Sequence, residues 1–250
     1  MRKYLMLTTA LVGLIAVSVA GIATAANGPV TAEAGNLKFV FDGGFKPSKL
    51  PKKKFAPIML SASGKISTKD GTHPPALKEV VVETDKNGGI NVKGVSVCKS
   101  GQLQSRDTKA AEKVCKKAII GTGTTNVQIA FPEQKPIPVS SKLLVFNGGT
   151  SGGKTTLFIH AYITVPTPAA IVTTVKISKI NNGRYGLKSV ATIPKIAGGS
   201  GSVTSFSLSV GKQGVLFAKC PDGKLQANAL AKFADSTKVS ATIIRTCTGT

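Results

Sequence analysis

The sequence predicts a mainly all-β protein, a β-sandwich or jelly-roll-like fold with one short helix near residues 108–117. Three observations predict it. Most of the chain after residue 35 alternates apolar and polar residues, the period of half-buried strands. Glycine, proline and asparagine punctuate that alternation at Gly43-Gly44, Pro74-Pro75, Asn87-Gly88, Asn182-Gly183, 198–202 and 221–223. One segment, "SRDTKAAEKVCKKAI" at 105–119, lacks the alternation and is rich in Ala, Lys and Glu.

The N-terminus, "MRKYLMLTTALVGLIAVSVAGIATA", carries Arg2 and Lys3, then an apolar run, then the small-x-small triplet Ala23-Thr24-Ala25. That order is a secretory signal peptide over 1–25, with cleavage expected after Ala25. The apolar core is short for a membrane span, which takes about 20 residues. No second apolar run of that length follows. Residues 26–250 are expected to be one secreted β domain, with two lobes meeting near 150–170 as the alternative division. The expected location is extracellular, either free or held at the cell surface.

The strands follow in order. "NLKFVFD" (36–42) is the first, and 53–67 contains the second. "LKEVVVET" (77–84) leads into "DKNGG", which reads as a hairpin turn. Segments 125–131, 142–146 and 155–165 come next, and 170–180, 183–193, 203–210, 214–219, 224–234 and 238–247 complete the set. In the helical segment Asp107 or Thr108 can cap the N-terminus. Ala111, Val114 and Cys115 are spaced for one buried face, and Lys116 and Lys117 suit the negative end of the dipole.

Cysteine and charge bound the function. The four cysteines, Cys98, Cys115, Cys220 and Cys247, are expected to be disulfide-bonded in an exported chain. Three pairings are open, and proximity favours Cys98–Cys115 with Cys220–Cys247. The whole chain has 33 Lys and Arg against 11 Asp and Glu, and only Arg2, Arg106, Arg184 and Arg245 are arginines. Lysine is a hydrated point charge, whereas Arg supplies the fork that reads phosphates and bases. With no Trp and 3 Tyr, stacking platforms for nucleic acid are scarce. The charge therefore points to loose attraction toward an anionic cell-wall polymer or a membrane surface, not to specific nucleic-acid reading. Lys52, Lys53 and Lys54, with Lys116 and Lys117, are the candidate contacts.

Other motifs carry less. Residues 148–155, "GGTSGGKT", match the P-loop pattern. A working P-loop leads into a helix whose N-terminus holds phosphate. Here Thr155 leads into the alternating "TLFIHAYITV", so the match reads as a chance loop between two strands and no nucleotide is expected. His73 sits in a proline-rich loop, and His160 alternates with Phe158 and Tyr162 on one strand face, with no partner nearby in sequence for metal or base chemistry. Glu83 and Asp85 share a strand face, but no EF-hand pattern surrounds them. No G-x-S-x-G elbow occurs. No catalytic, cofactor or metal set is expected. The reading is a non-catalytic exported β protein; a carbohydrate-binding or adhesion module and a hydrolase of unfamiliar type are the alternatives.

The stretch from "KLPKKKFAPIMLSASGKISTKDGTHPPALKEV" to Cys98, a helix with a second Cys, and "IIGTG" is similar to a group of uncharacterised secreted β-sandwich-like proteins of high-GC Gram-positive bacteria. The residues that carry the similarity are Gly64–Thr68, Gly71, Pro74, Pro75, Leu77, Cys98, Cys115, Gly121 and Gly123. The resemblance implies a fold and a compartment, and no activity.

Overall fold

The computed structural model describes residues 23–249. The expected leader therefore lies outside the described residues except for its last three, which fall in the first strand. In chain order the strands are β1 (Ala23–Ala26), β2 (Val30–Ala34), β3 (Leu37–Lys46), β4 (Lys49–Leu50), β5 (Ala56–Pro57), β6 (Met59–Thr68), β7 (Leu77–Asp85) and β8 (Gly88–Ile90). A helix, α1 (Thr108–Val114), separates these from β9 (Ile119–Ile129), β10 (Ile137–Ser151), β11 (Lys154–Ile163), β12 (Ala169–Asn182) and β13 (Tyr185–Thr192). The chain ends with β14 (Gly201–Val210), β15 (Leu216–Ala218), β16 (Lys224–Phe233), β17 (Lys238–Thr246) and β18 (Thr248–Gly249).

The protein is mainly β with one short helix. The expected sandwich of two sheets is corrected. The long strands form one continuous sheet in the order β1-β17-β16-β7-β13-β12-β11-β10-β9-β14-β6-β3-β2. All neighbours are antiparallel except β1, which runs parallel to β17. The two ends of this sheet meet, so the fold is a nearly closed barrel. Alternation reports that one face of each strand is buried, and it is identical in a sandwich and a barrel. Closure depends on pairings such as β14 between β9 and β6, which join segments far apart in sequence.

Arg245, near the end of β17, clasps the seam. Its guanidinium donates to the carbonyls of Gly43 on β3 and Gly28 ahead of β2, and its Nη2 lies 2.6 Å from the Asp42 carboxylate. Asn27 N–H donates to the Ile244 carbonyl at 3.0 Å, beside the clasp. These bonds satisfy groups that a sheet edge would leave open.

The inward face is apolar from strand to strand. In β16 the inward residues Ala229, Ala231 and Phe233 are buried while Asn228 and Lys232 on the other face are more exposed. Across the register, Ala231 faces Val80, Val80 faces Ala191, and Ala191 faces Val175. Phe39, Phe41 and Phe233 fill one end of the core, with Phe39 stacked on Phe41 and edge-on to Phe233. Each such ring contributes about 1.5–3 kcal/mol by burial. Gly64 lies beneath this cluster; a Cβ there would stand 2.5 Å from the rings of both Phe39 and Phe206.

The two poles differ. One carries the short connections 35–36, 69–76, 130–136, 164–168, 193–200 and 234–237. The other carries 47–58, 86–118, 152–153, 183–184 and 211–223. Segment 86–118 joins β7 to β9, and 211–223 joins β14 to β16, pairs that are not neighbours in the sheet. Both must cross the pole. They meet there with 47–58 in a small sheet, β5-β15-β8. Val92 and Val215 from these connections are buried against Ile120, Val145, Leu157, Val175 and Ile177, which plugs the barrel.

Two disulfides pin these connections: Cys220–Cys247 at the plugged pole, and Cys98–Cys115 where 86–118 lies on the outer face of β10 and β11. Cys115 follows α1, whose Asp107 side chain accepts from Ala110 N–H at 2.7 Å as the N-cap. Ala111 and Cys115 are buried as expected, but Val114 is 43% exposed, a correction to the helix face. Ala118 is buried with Ala111 and Cys115 against Leu144, Phe146 and Phe158. The stripe therefore runs through 111, 115 and 118, and Val114 lies to its side.

Candidate functional site

Charge is segregated between the poles. The connections that start or end at the plugged pole hold 15 Lys and Arg and three acids, and all but Arg106, Lys109 and Lys113, which lie with α1 against the outer wall of β10 and β11, belong to the pole itself; the short connections hold three basic and three acidic residues. The three acids of these connections are all engaged within the fold. Asp107 caps α1, Glu112 pairs with Lys142 at 2.9 Å, and Asp222 pairs with Arg184 at 2.7 Å. Among the described residues, none of the 13 lysines in those connections makes an ion pair. Like charges held together on a rigid frame raise the local potential and concentrate counter-ions.

The candidate lysines divide into two groups on this pole. Lys52, Lys53 and Lys54 are exposed in the 47–58 connection. That connection is fixed by the pairing of β4 with β18 and by Cys220 N–H donating to the Pro51 carbonyl at 2.9 Å. Lys116 and Lys117 are exposed on the 3₁₀ turn after α1. The Gln213 amide donates to the carbonyls of Lys117 and Ile119 at 3.3 and 2.9 Å, tying that turn to the 211–223 connection. Lys212 therefore stands beside the second group, and Lys219 beside the first. A single crossing segment links two clusters that lie more than sixty residues apart in sequence.

Phe55 follows the lysine run and is 50% exposed. Its ring meets Phe217 edge-on, with centroids 5.1 Å apart, and Lys219 Nζ lies 5.1 Å from its centroid. In the sequence Phe55 falls within the strand-bearing segment 53–67, where an apolar residue reads as core. The signal was an aromatic directly after three lysines and before Pro57.

Other candidate residues have structural settings. Residues 148–155 form a β-hairpin: β10 continues through Ser151, the turn is Gly152-Gly153, and β11 starts at Lys154. A strand stands where a nucleotide site needs a helix. His160 is fully buried, and its Nε2 lies 3.0 Å from the Arg106 carbonyl, so that nitrogen carries the proton. Burial pushes the imidazole below its ordinary pKa, against the Arg106 hydrogen bond and the Asp107 charge. His73 Nδ1 is buried without a partner.

The expected hairpin at 85–88 is corrected. Asp85 does form the turn, accepting from Asn87 N–H at 3.0 Å, but the chain then leaves the sheet to cross the pole. A two-residue turn signal cannot distinguish a return from a crossing. Glu83 and Asp85 also go separate ways. Glu83 accepts from Asn182, while Asp85 is buried with its carboxylate 2.7 Å from Arg184 Nε. Arg184 links Asp85, Asp222 and the Lys224 carbonyl, and the Asp222 hydrogen bond chiefly raises its pKa. Among the described residues no His, Cys, Asp and Glu side chains gather in a metal-binding set. A cleft of about 470 Å³ opens at the short-loop pole between Ile163, Pro166, Ala169, Ile171 and Lys195, and Lys195 is the one titratable group in its wall.

Comparison with protein-family models, curated proteins and solved structures gives no match to this chain. The paired cysteines are consistent with an extracellular protein. Among the described residues no helix is long and apolar enough to cross a membrane.

Proposed function

We propose that this protein is an exported, non-catalytic β-barrel that holds to an anionic extracellular surface through its plugged, lysine-rich pole. The observation that carries the reading is the gathering of unpaired lysines at one pole. A merely soluble basic protein needs net charge, and it does not need that charge on one end. Lysine in place of arginine fits attraction to a polyanion with no fixed geometry. The disulfides and the β5-β15-β8 sheet keep the lysines in place, so binding does not require ordering the loops. The alternative readings have less support. The cleft at the other pole offers one lysine, with no carboxylate pair for glycoside hydrolysis and no aromatic ring for sugar stacking.

Retention on an immobilised anionic wall polymer across a salt series tests the proposal. Affinity should fall steeply as salt rises through the range where the Debye length shrinks from about 30 Å to about 8 Å. Absence of retention at low salt would overturn it.

A further inference from the structure

We infer that the anionic surface is a lipid bilayer, entered by Phe55 while the lysines around it hold the headgroups. This rests on the lysine-rich pole being the contact face. Four large apolar side chains are prominently exposed among the described residues: Phe55, Val97, Val114 and Val165. Phe55 and Val97 stand at the lysine-rich pole, Val114 lies on α1 along the barrel wall, and Val165 lies at the other pole. A soluble polyanion can engage ammonium groups and gives a phenyl ring nothing to enter. A bilayer offers anionic headgroups and, a few ångströms below, an apolar layer.

The local build matches that pair of layers. Phe55 is exposed together with Lys52, Lys53 and Lys54. Lysine stems can run back to the headgroups while the ring goes deeper. The ring is also pre-set. Phe217 supports its edge, Lys219 stands over it, and the Cys220 N–H bond to Pro51 anchors the base of the segment. It is held out instead of folding into the apolar cluster of Leu50, Ile58 and Ala218 beneath. A second copy of this chain is a poor occupant, because two lysine-rich poles would repel.

The test uses the purified protein with two probes: vesicles of equal parts phosphatidylglycerol and phosphatidylcholine, and soluble polyphosphate. Phe55→Ser should weaken vesicle binding roughly tenfold, the loss expected for one buried ring, and leave polyphosphate binding unchanged. The protein has no Trp, so Phe55→Trp places a single reporter at the tip. Its emission should shift to the blue with the mixed vesicles and stay put with polyphosphate or pure phosphatidylcholine. Equal vesicle binding by wild type and Phe55→Ser, an unmoved Trp emission, or binding to polyphosphate without vesicles would overturn the lipid inference and leave the lysine-rich pole as a polymer site. Binding to neither probe at low salt would overturn the pole reading as well.

Discussion

Replacing Arg245 by Met should open the barrel. The substitution keeps the aliphatic stem and removes the guanidinium. The Arg245 side chain is 15% exposed, while that of Asp42 is 50% exposed, so the ion pair itself is screened and contributes about 0–1 kcal/mol. The larger loss is at the Gly28 and Gly43 carbonyls, which both accept from the guanidinium across the seam. A hydrogen bond from a charged donor contributes about 1.5–3 kcal/mol, and water can replace part of that at a seam. The expected loss is about 3 kcal/mol, which for a chain of this size lowers Tm by roughly 6–12 °C. All three partners follow Ala25, so the clasp persists in a chain cleaved there, where β1 would keep only Ala26. Urea unfolding followed by far-UV circular dichroism measures the effect. Arg106→Met, at an exposed position, is the control and should change little. A loss below about 1 kcal/mol for Arg245→Met would refute the clasp.

The remaining predictions concern other parts of the frame. Cys220→Ala with Cys247→Ala removes a crosslink of sequence separation 27 and should cost about 3.5 kcal/mol in the chain-entropy picture; an unchanged Tm on adding reductant to the wild type would contradict this. His160 protonates at its ordinary value near 6.5 when unfolded and below that when folded. Acid therefore favours the unfolded chain, and stability should be full above pH about 6.5 and fall below it. Urea midpoints measured down to pH about 5 should decline less in His160→Gln than in the wild type; parallel curves would remove His160 as the cause. Lys154→Ala should leave Tm unchanged within the roughly 0.5 kcal/mol range of surface substitutions, and ATP should shift neither protein; a nucleotide-dependent Tm would reinstate the P-loop reading.

The sequence displayed what depends on near neighbours. β16 alternates along its length because one of its faces is buried, whereas β11 is buried on both, with Leu157 and Ile163 turned inward and Phe158 and His160 covered by the 86–118 connection. Asp107 three residues before Ala110 announces the cap of α1, and both disulfides join the cysteines closest in sequence. Barrel closure was not visible, because it is made by pairings such as β7 between β16 and β13, which no local pattern encodes. Arg245 left a faint trace as the one charged residue on the inward face of β17, after Val239, Ala241 and Ile243. The lysine runs at 52–54 and 116–117 were legible as clusters. Their common pole was not, since isolated lysines such as Lys93, Lys99 and Lys212 join them only after two connections cross the barrel end.

The central claim is that position, and not total charge, makes the protein hold to an anionic surface. Two triple variants separate these. Lys52→Glu, Lys53→Glu and Lys54→Glu reverse charge at the plugged pole. Lys135→Glu, Lys195→Glu and Lys238→Glu reverse as much charge at the other pole, at exposed lysines that make no ion pair among the described residues. Retention on an anionic surface, measured for both across a salt series, should collapse for the first and stay near wild type for the second. Equal losses in the two would contradict the account.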